Sequence, residues 1–506
     1  MSFSLQLSDC LSALDANLSG DDVVVRGVSI DTRTLKPGDL FVPIKGHNHD
    51  GHDYIETAVK AGAKAVLVHS RIATSVPQMR VVVTTRALGC LARYWARRHQ
   101  VPTIAVTGSN GKTTVKEIIA SILRQLGPVL ATRGNLNNDI GVPLTLLGLR
   151  PEHQYAVIEM GASQAGDIER LVTIAEPDVA VITNIGAAHI EGFGSIERIA
   201  EAKSEIYAGL SKDGWAVVNN DDVYADVLRD HASHCHVRSF GLTEDADVQG
   251  VPGNGLVIQT TGKRLKPRFP LAGDHNGINA LAAVAAVQCL DVQPASIVRG
   301  LESVRPVAGR LEKKAGIHGA SIIDDSYNAN PVSAKAAIDV LAKQSGVRYL
   351  VLGDMAELGE DAANLHRELG LYAREAKLDG VWTVGKLASY TDMGFGLCNT
   401  PRMVQPYAQA VGDQGSHGAS VPSLAGGEVP EVRKGRTVTK GALRVSEGGH
   451  FKDQESLIQA LRPWLAGDTT VLVKGSRSAR MERVVKGLVP TTQALGTSAR
   501  INEALS

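Results

Sequence analysis

The stretch Thr103-Ile104-Ala105-Val106-Thr107-Gly108-Ser109-Asn110-Gly111-Lys112-Thr113-Thr114 constrains the fold more than any other. Its first five residues are apolar or β-branched and read as a buried strand. Gly108 to Gly111 stops that strand, and helical spacing follows from Lys112 through Leu126. Such a junction aims backbone N–H groups and the positive end of a helix dipole at one point. Gly108 and Gly111 allow close approach of phosphate oxygens. Lys112 is placed to reach β/γ-phosphates, and the Thr113 hydroxyl to ligate magnesium. Only two residues separate the glycines, against four in a Walker loop. With a strand before and a helix after, nucleotide binding is favoured over a plain strand-to-helix turn.

At 506 residues, a prior of about 150 residues per domain predicts about three domains. The formal net charge is +0 and the aromatic fraction 4%. These values argue against a global field for nucleic acid or membranes and against a base-stacking platform. The cysteines (Cys10, Cys90, Cys235, Cys289, Cys398) are odd in number and scattered, which suits a reducing cytoplasm rather than a disulfide framework. The first residues lack the pattern of a signal peptide. Ala280 to Leu290 is too short an apolar run for a bilayer and reads as a buried helix.

Alternating strands and helices predict an α/β fold with mainly parallel sheets. The predicted domains are 1–84, 85–308 and 309–506. In the first, polar punctuations (Asp31-Thr32-Arg33, Lys45-Gly46, Asp50-Gly51-His52) read as turns on composition alone. In the second, the asparagines of Gly134 to Pro143 suit turns or a ligand. The strand Tyr155 to Gly161 carries Glu159, and Asp178 to Ile185 leads to His189. Ligands in open parallel sheets bind at strand carboxyl ends, so Glu159 and His189 are candidate metal ligands beside the phosphate loop. Lys203, on a predicted helix, reads alone as a surface lysine. His231 to His236 is too crowded, and lacks a distant partner cluster, for a usual zinc site. Asp274 or His275 is predicted to cap the Ala-rich helix. Asn276 and Asn279 share one face of it, suited to a purine edge or to capping.

In the third domain, Ser321 to Asp325 is a predicted strand running into Ser326-Tyr327-Asn328-Ala329-Asn330-Pro331. Residues 403–449, rich in Gly, Ser and Pro, read as an inserted loop. Thr469 to Val473 is a strand. Lys474-Gly475-Ser476-Arg477 then precedes a predicted helix from Ala479, a second junction suited to an anion.

Taken together, these motifs resemble the Mur ligases, ATP-dependent amide-forming enzymes of peptidoglycan precursor synthesis. The short phosphate loop is that family's form. Asn135 to Pro143, Glu159-Met160-Gly161-Ala162-Ser163, Ala188-His189-Ile190-Glu191-Gly192-Phe193, Asp325 to Pro331, Gly353-Asp354-Met355-Ala356-Glu357-Leu358-Gly359 and Lys474 to Arg477 carry the resemblance. They are similar to the members that add D-alanyl-D-alanine. The sister members that add diaminopimelate or lysine fit less well: no Asp-Asn-Pro-Arg run is present. The resemblance implies three domains, with a central phosphate-loop domain and a Rossmann-like C-terminal one. It also implies a cytoplasmic enzyme, expected as a monomer, with no nucleic-acid partner and no membrane insertion.

By the same resemblance, the substrates are ATP, UDP-N-acetylmuramoyl-tripeptide and D-alanyl-D-alanine. Lys112 would screen the phosphates. Thr113 and Glu159 would hold one magnesium ion, and His189 with a carbamylated Lys203 a second. Asn276, Asn279 and Arg310 would meet the adenine and phosphate end of ATP, and Asp325 its ribose. Asp31, Thr32, Arg33, Lys45 and Gly46 would face the UDP end, and Asn137 and Asn138 the muramoyl peptide. Tyr327, Asn328, Asn330, Lys474, Ser476 and Arg477 would shape the D-alanyl-D-alanine side. A kinase or ATPase using the same loop, and a nucleotide-binding regulator without turnover, are the readings from other classes.

Overall fold

The computed structural model describes residues 3–46, 49–187, 190–253, 255–396 and 447–490. Three main sheets follow one another along the chain. The first has five strands in the order Asn17–Ser19, Gln78–Arg80, Ala65–Val68, Asp39–Phe41, Gly27–Ser29. All its pairings are parallel except that of Asn17–Ser19. A small antiparallel pair, Leu5–Gln6 with Val24–Val25, lies beside it.

The nine-stranded central sheet positions the site. From one edge its order is Val129–Ala131, Tyr155–Glu159, Thr103–Thr107, Val179–Ile182, Trp215–Asn219, His236–Gly241, Val248–Gly250, Ile258–Thr260, Lys263–Leu265. The pairings are parallel as far as Val248–Gly250 and antiparallel beyond. Thr103–Thr107 is buried at every residue, as a strand covered on both faces must be. From its end the chain runs to the Val129–Ala131 edge, returns through Tyr155–Glu159, and then crosses to Val179–Ile182 on the other side. The crevice therefore opens at the phosphate loop, as the switch-point rule requires.

Two apolar layers sandwich this sheet. On one face, the helices Lys112–Leu123, Asp274–Gln288 and Pro294–Ser303 build a core with Ile104, Val106, Val157, Val179 and Val217. Ala280 to Val287 are all almost wholly buried, which explains the weak amphipathicity of the Ala-rich helix: it has no solvent face there. Gly300 lets its helix approach Ile122 backbone to backbone, and Ser121 Oγ donates to its carbonyl at 2.8 Å. On the other face, Thr84–Arg97 carries Leu88, Leu91 and Trp95 into a core shared with Phe3, Leu5 and Leu7 and with Ala105, Ile158 and Ile182. The first sheet is thereby tied to the second through common apolar surface.

The third sheet has six strands in the order Glu312–Ala315, Ser321–Asp325, Thr469–Lys474, Val347–Gly353, Gly380–Val384, Glu447–Phe451. All pairings are parallel except the first. Separate cores line its two faces.

Element boundaries mostly match the sequence, with three corrections. The helix expected from Ala479 starts at Glu482, because a 3-10 turn at Arg477–Ala479 and left-handed Arg480 intervene. The Ala-rich helix is not capped by Asp274 or His275: its N-cap is Gly273, at φ 96°, with no side-chain cap. The inserted loop ends earlier than residue 449. Glu447–Phe451 pairs in register with Gly380–Val384 as the sheet's last strand, its glycines having hidden it. Residues 397–446, which hold the rest of that loop, lie outside the described residues.

Candidate active site

Gly108 and Gly111 make the sharp exit from the central strand, at φ 144° and 82°. A side chain at Gly108 would overlap Thr183, and one at Gly111 would overlap Asn279. Asn184 holds the loop from the next strand. Its carbonyl accepts from Ser109 N at 2.9 Å, and its Oδ1 from Asn110 N at 3.0 Å. Those two loop N–H groups are therefore engaged by protein. The first turn of Lys112–Leu123 supplies the donors that helix geometry leaves unpaired. Thr107 and Ser109 serve the scaffold, donating to the carbonyls of Met160 and Gly186 at 2.8 Å each. Thr114 lines the cleft.

Lys112 folds back on this loop, its Nζ donating to the Gly108 carbonyl at 2.7 Å. Burial lowers its pKa, and Arg310 lowers it further, while Glu159 opposes them. Lys203, buried on Ile196–Ala208, has its pKa lowered well below the ordinary lysine range by burial and then by Lys112. The expectation of a surface lysine is thus overturned. The helix packs this face inward, with Ile199 and Ile206 buried alongside. Arg310 Nη2 donates to Thr113 Oγ1 at 2.9 Å, and its guanidinium lies 4.3 Å from the Tyr327 ring centre. Cations thus converge where phosphates would sit. A small set of like charges in partial burial is an anion site.

Glu159 ends its strand at 3% exposure. Its Oε1 accepts from Asn137 Nδ2 at 2.9 Å, and its backbone N–H donates to Thr132 Oγ1 at 2.9 Å. Its Oε2 is buried with no hydrogen-bond partner among the described residues. A buried carboxylate oxygen left open costs free energy unless a cation meets it. Glu159 Oε2 and Thr113 Oγ1 are hard oxygen donors, the kind magnesium takes, so the residues present fit that ion. His189 lies outside the described residues.

One cleft of about 1610 Å³ gathers most of the predicted residues. Lys112, Thr113, Glu159, Asn137, Asn138, Asn276, Asn279, Arg310, Asp325, Tyr327, Asn328, Asn330, Lys474, Ser476 and Arg477 all line it. Thr107, Gly108 and Lys203 are not part of that lining, and neither, in the first-sheet unit, are Asp31, Thr32, Arg33, Lys45 and Gly46. There Arg33 Nη2 pairs with Asp31 at 2.6 Å inside a turn, and Gly46 N donates to His49 O at 2.9 Å.

Several cleft residues hold protein where a substrate was expected. Asn137 orients Glu159 rather than reaching out alone, and Asn138 Oδ1 accepts from Gly141 N at 2.9 Å. Asn276 Nδ2 donates to Ala272 O at 2.6 Å, and Asn279 Nδ2 to Asn276 Oδ1 at 3.1 Å. One amide donor of each is thus engaged at the helix start beside Gly111. Asp325 accepts from Leu311 N at 3.1 Å and pairs with Lys474 Nζ at 2.5 Å. That buried pair joins adjacent strands Ser321–Asp325 and Thr469–Lys474, a register no local sequence displays. Asn330 caps Pro331–Ala342 in a capping box and donates to Asn110 Oδ1 at 2.8 Å. Ser476 Oγ donates to Asp354 O at 2.6 Å, and Arg477 N to Asn328 Oδ1 at 3.3 Å.

Sequence reasoning missed Asn184, Thr132 and Lys116. Lys116 sits one helical turn beyond Lys112, 1% exposed, with Nζ donating to Thr132 O at 2.7 Å. A lysine on the apolar face beside Val115 and Ile119 was the available signal. In the histidine-rich stretch, His231 bonds Glu201 at 2.8 Å and His236 packs on Trp215.

A mainly parallel phosphate-loop sheet, followed by a second α/β unit that closes on the loop, is the architecture of an ATP-dependent ligase, and the chain belongs to the Mur ligase family. It matches the Mur ligase middle domain over residues 106–287, the Mur ligase glutamate ligase domain over 309–477, and the Mur ligase family catalytic domain over 24–96. It is 38% identical to the UDP-N-acetylmuramoyl-tripeptide--D-alanyl-D-alanine ligase of Escherichia coli, covering 96% of this chain and 98% of that one. The Bacillus subtilis protein of the same name is 35% identical over 94% and 95%. Among solved structures, MurF from Acinetobacter baumannii superposes with a TM-score of 0.82 at 32% identity, covering 96% and 98%. MurF from Thermotoga maritima, solved in complex with ADP, gives 0.74 at 27%, covering 92% and 97%.

Proposed function

We propose that this chain is an ATP-dependent, ADP-forming ligase that joins D-alanyl-D-alanine to UDP-N-acetylmuramoyl-tripeptide in peptidoglycan precursor synthesis. The observation that carries the reading is the convergence of Lys112, Arg310 and the open Glu159 carboxylate oxygen in one cleft. The similarity to named D-alanyl-D-alanine ligases across nearly the full chain supports the substrates.

A carboxylate is a poor electrophile, so the amide must be made through activation. The terminal carboxylate of the tripeptide attacks the γ-phosphorus of ATP, the bond to the β-phosphate oxygen breaks, and ADP leaves. The amine of D-alanyl-D-alanine attacks the acyl carbon of the resulting acyl phosphate. The tetrahedral adduct loses a proton and expels inorganic phosphate. Two anions meet in the first step, so positioned cations supply most of the catalysis. Lys112 leaves its loop carbonyls for the β/γ-phosphates. Arg310 supplies a guanidinium from the third sheet's side. Thr113 and Glu159 would hold magnesium, which would supply positive charge against the phosphates.

In this reading His189 and a carbamylated Lys203 would hold a second magnesium ion. Burial, and then Lys112, lower the Lys203 pKa well below the ordinary lysine range, which favours the neutral amine over the ammonium. That amine adds carbon dioxide, forming an N–C bond and releasing a proton, and a carbamate replaces a repelling cation. Asp31, Thr32, Arg33, Lys45 and Gly46 face the UDP end on the first sheet, and domain divisions near residues 84 and 308 accompany this assignment. Phosphate release by purified protein should need both the UDP-tripeptide and D-alanyl-D-alanine. Release with neither acceptor, or a stable phosphorylated product, would replace this reading with an ATPase or a kinase. Lys203→Ala restored by a short carboxylic acid would support the carbamate.

A further inference from the structure

Lys116 has no part in the reaction just described, yet it is a lysine with 2% side-chain exposure beside the metal carboxylate. Its Nζ donates to Thr132 O at 2.7 Å and lies 3.0 Å from Glu117 Oε1. It stops 3.9 Å short of Glu159 Oε2, the oxygen that no hydrogen bond from the described residues occupies. At that separation a charge is felt, but the oxygen's lone pairs remain open. Thr132 also fixes the Glu159 backbone through its hydroxyl at 2.9 Å. One buried residue therefore tethers both members of the pair.

We infer that Lys116 is a positioning residue, an internal counter-ion that Glu117 and Thr132 hold just off Glu159, keeping Oε2 charge-balanced but open to a divalent cation. This inference rests on the reading of Glu159 as a metal carboxylate. The stand-off sets the affinity. Without the ammonium, an incoming cation meets less like charge, and the metal-free state leaves the buried Glu159 carboxylate balanced by Lys112 without its nearer counter-ion. Both effects favour the metal. Without the Glu117 charge, the ammonium loses an anchor and moves onto Oε2, closing the site. Adjacent substitutions on one helix therefore act with opposite signs, which a purely structural role would not produce.

The test is Mn²⁺ binding to the full chain, read from loss of the free-ion electron paramagnetic resonance signal, with neither nucleotide nor acceptor present, so that nothing turns over and no free phosphate group chelates the ion. Lys116→Met should tighten Mn²⁺ by about tenfold, and Glu117→Gln should weaken it by about threefold or more. The double variant should follow Lys116→Met. Both single variants weakening together, or neither changing while the thermal melt stays cooperative, overturns the inference. Glu117 is partly exposed, so Glu117→Gln decides alone should Lys116→Met fail to fold: unchanged or tighter Mn²⁺ overturns it. Glu159→Gln separates the two levels. If Mn²⁺ then binds as in the parent, Glu159 is no ligand, and the metal reading falls together with the inference. If binding is lost while Lys116→Met and Glu117→Gln move in parallel, only the counter-ion role falls.

Discussion

Lys112 is both the strongest signal in the sequence and the residue whose state the fold most changes. In the folded chain it is desolvated and pressed by Arg310, so it awaits an anion rather than resting in water. Lys112→Ala should lower phosphate release by about 10²–10³-fold, the usual effect of deleting one positioned donor at a transition state. Asn137 acts through Glu159. Asn137→Ala frees Oε1 and should raise the magnesium concentration for half-maximal activity more than it lowers the maximal rate. A change in maximal rate alone would place Asn137 on substrate instead.

At the scale of elements, the glycine turn and the helix it feeds behave as one part. Gly111 combines a left-handed φ with Asn279 packed against it. Gly111→Ala therefore costs strain of about 1–3 kcal/mol and displaces the helix start, and ADP affinity by calorimetry should fall. The third sheet has its own brace. Met355 N donates to His366 Nε2 at 3.0 Å, which leaves Nδ1 to carry the proton toward Ala362 O at 2.7 Å. Burial holds the His366 pKa below its ordinary 6.5. The unfolded chain therefore takes up a proton first as pH falls. This contribution to stability is present above about 6.5 and is lost as pH drops through the depressed value. Thermal melts should show the decline, and His366→Leu should flatten it while lowering stability by about 1–3 kcal/mol for the stranded Met355 N–H. A slope unchanged in that variant would assign the pH dependence elsewhere.

Across the whole molecule, two contacts bring the third sheet's side onto the phosphate loop: Arg310 to Thr113 and Asn330 to Asn110. Both are polar, and beyond the loop Lys343 Nζ pairs with Asp274 at 2.8 Å and Ala272 packs on the third sheet's core, while the first sheet is joined to the second by a continuous apolar core. Relative motion should therefore concentrate near residues 304–310, and closure would exclude water from an acyl phosphate. Arg310→Ala should weaken ADP about tenfold and reduce the protection that ADP gives against limited proteolysis. Equal protection in variant and parent would make the two contacts incidental to closure.

Much of this molecule was legible along the chain because its signals are local. A β-branched run with glycines after it, such as Thr103 to Gly111, states its strand, turn and helix start without help from distant residues. So does Asn330-Pro331, where cap and first helical residue are neighbours. Glu447–Phe451 was not legible, because two glycines mask a strand that exists only through pairing with Gly380–Val384. The choice of partner for polar side chains was not legible either. Asp325 meets Lys474 from 149 residues away, and Asn137 meets Glu159 across a loop. The sequence by itself determined the α/β class, the phosphate loop and the kinds of group around it, because periodicity and turn chemistry act within a few residues. Only the tertiary structure decided which carboxylate oxygen stays open and which lysines are buried, because desolvation depends on what distant segments bring against a side chain.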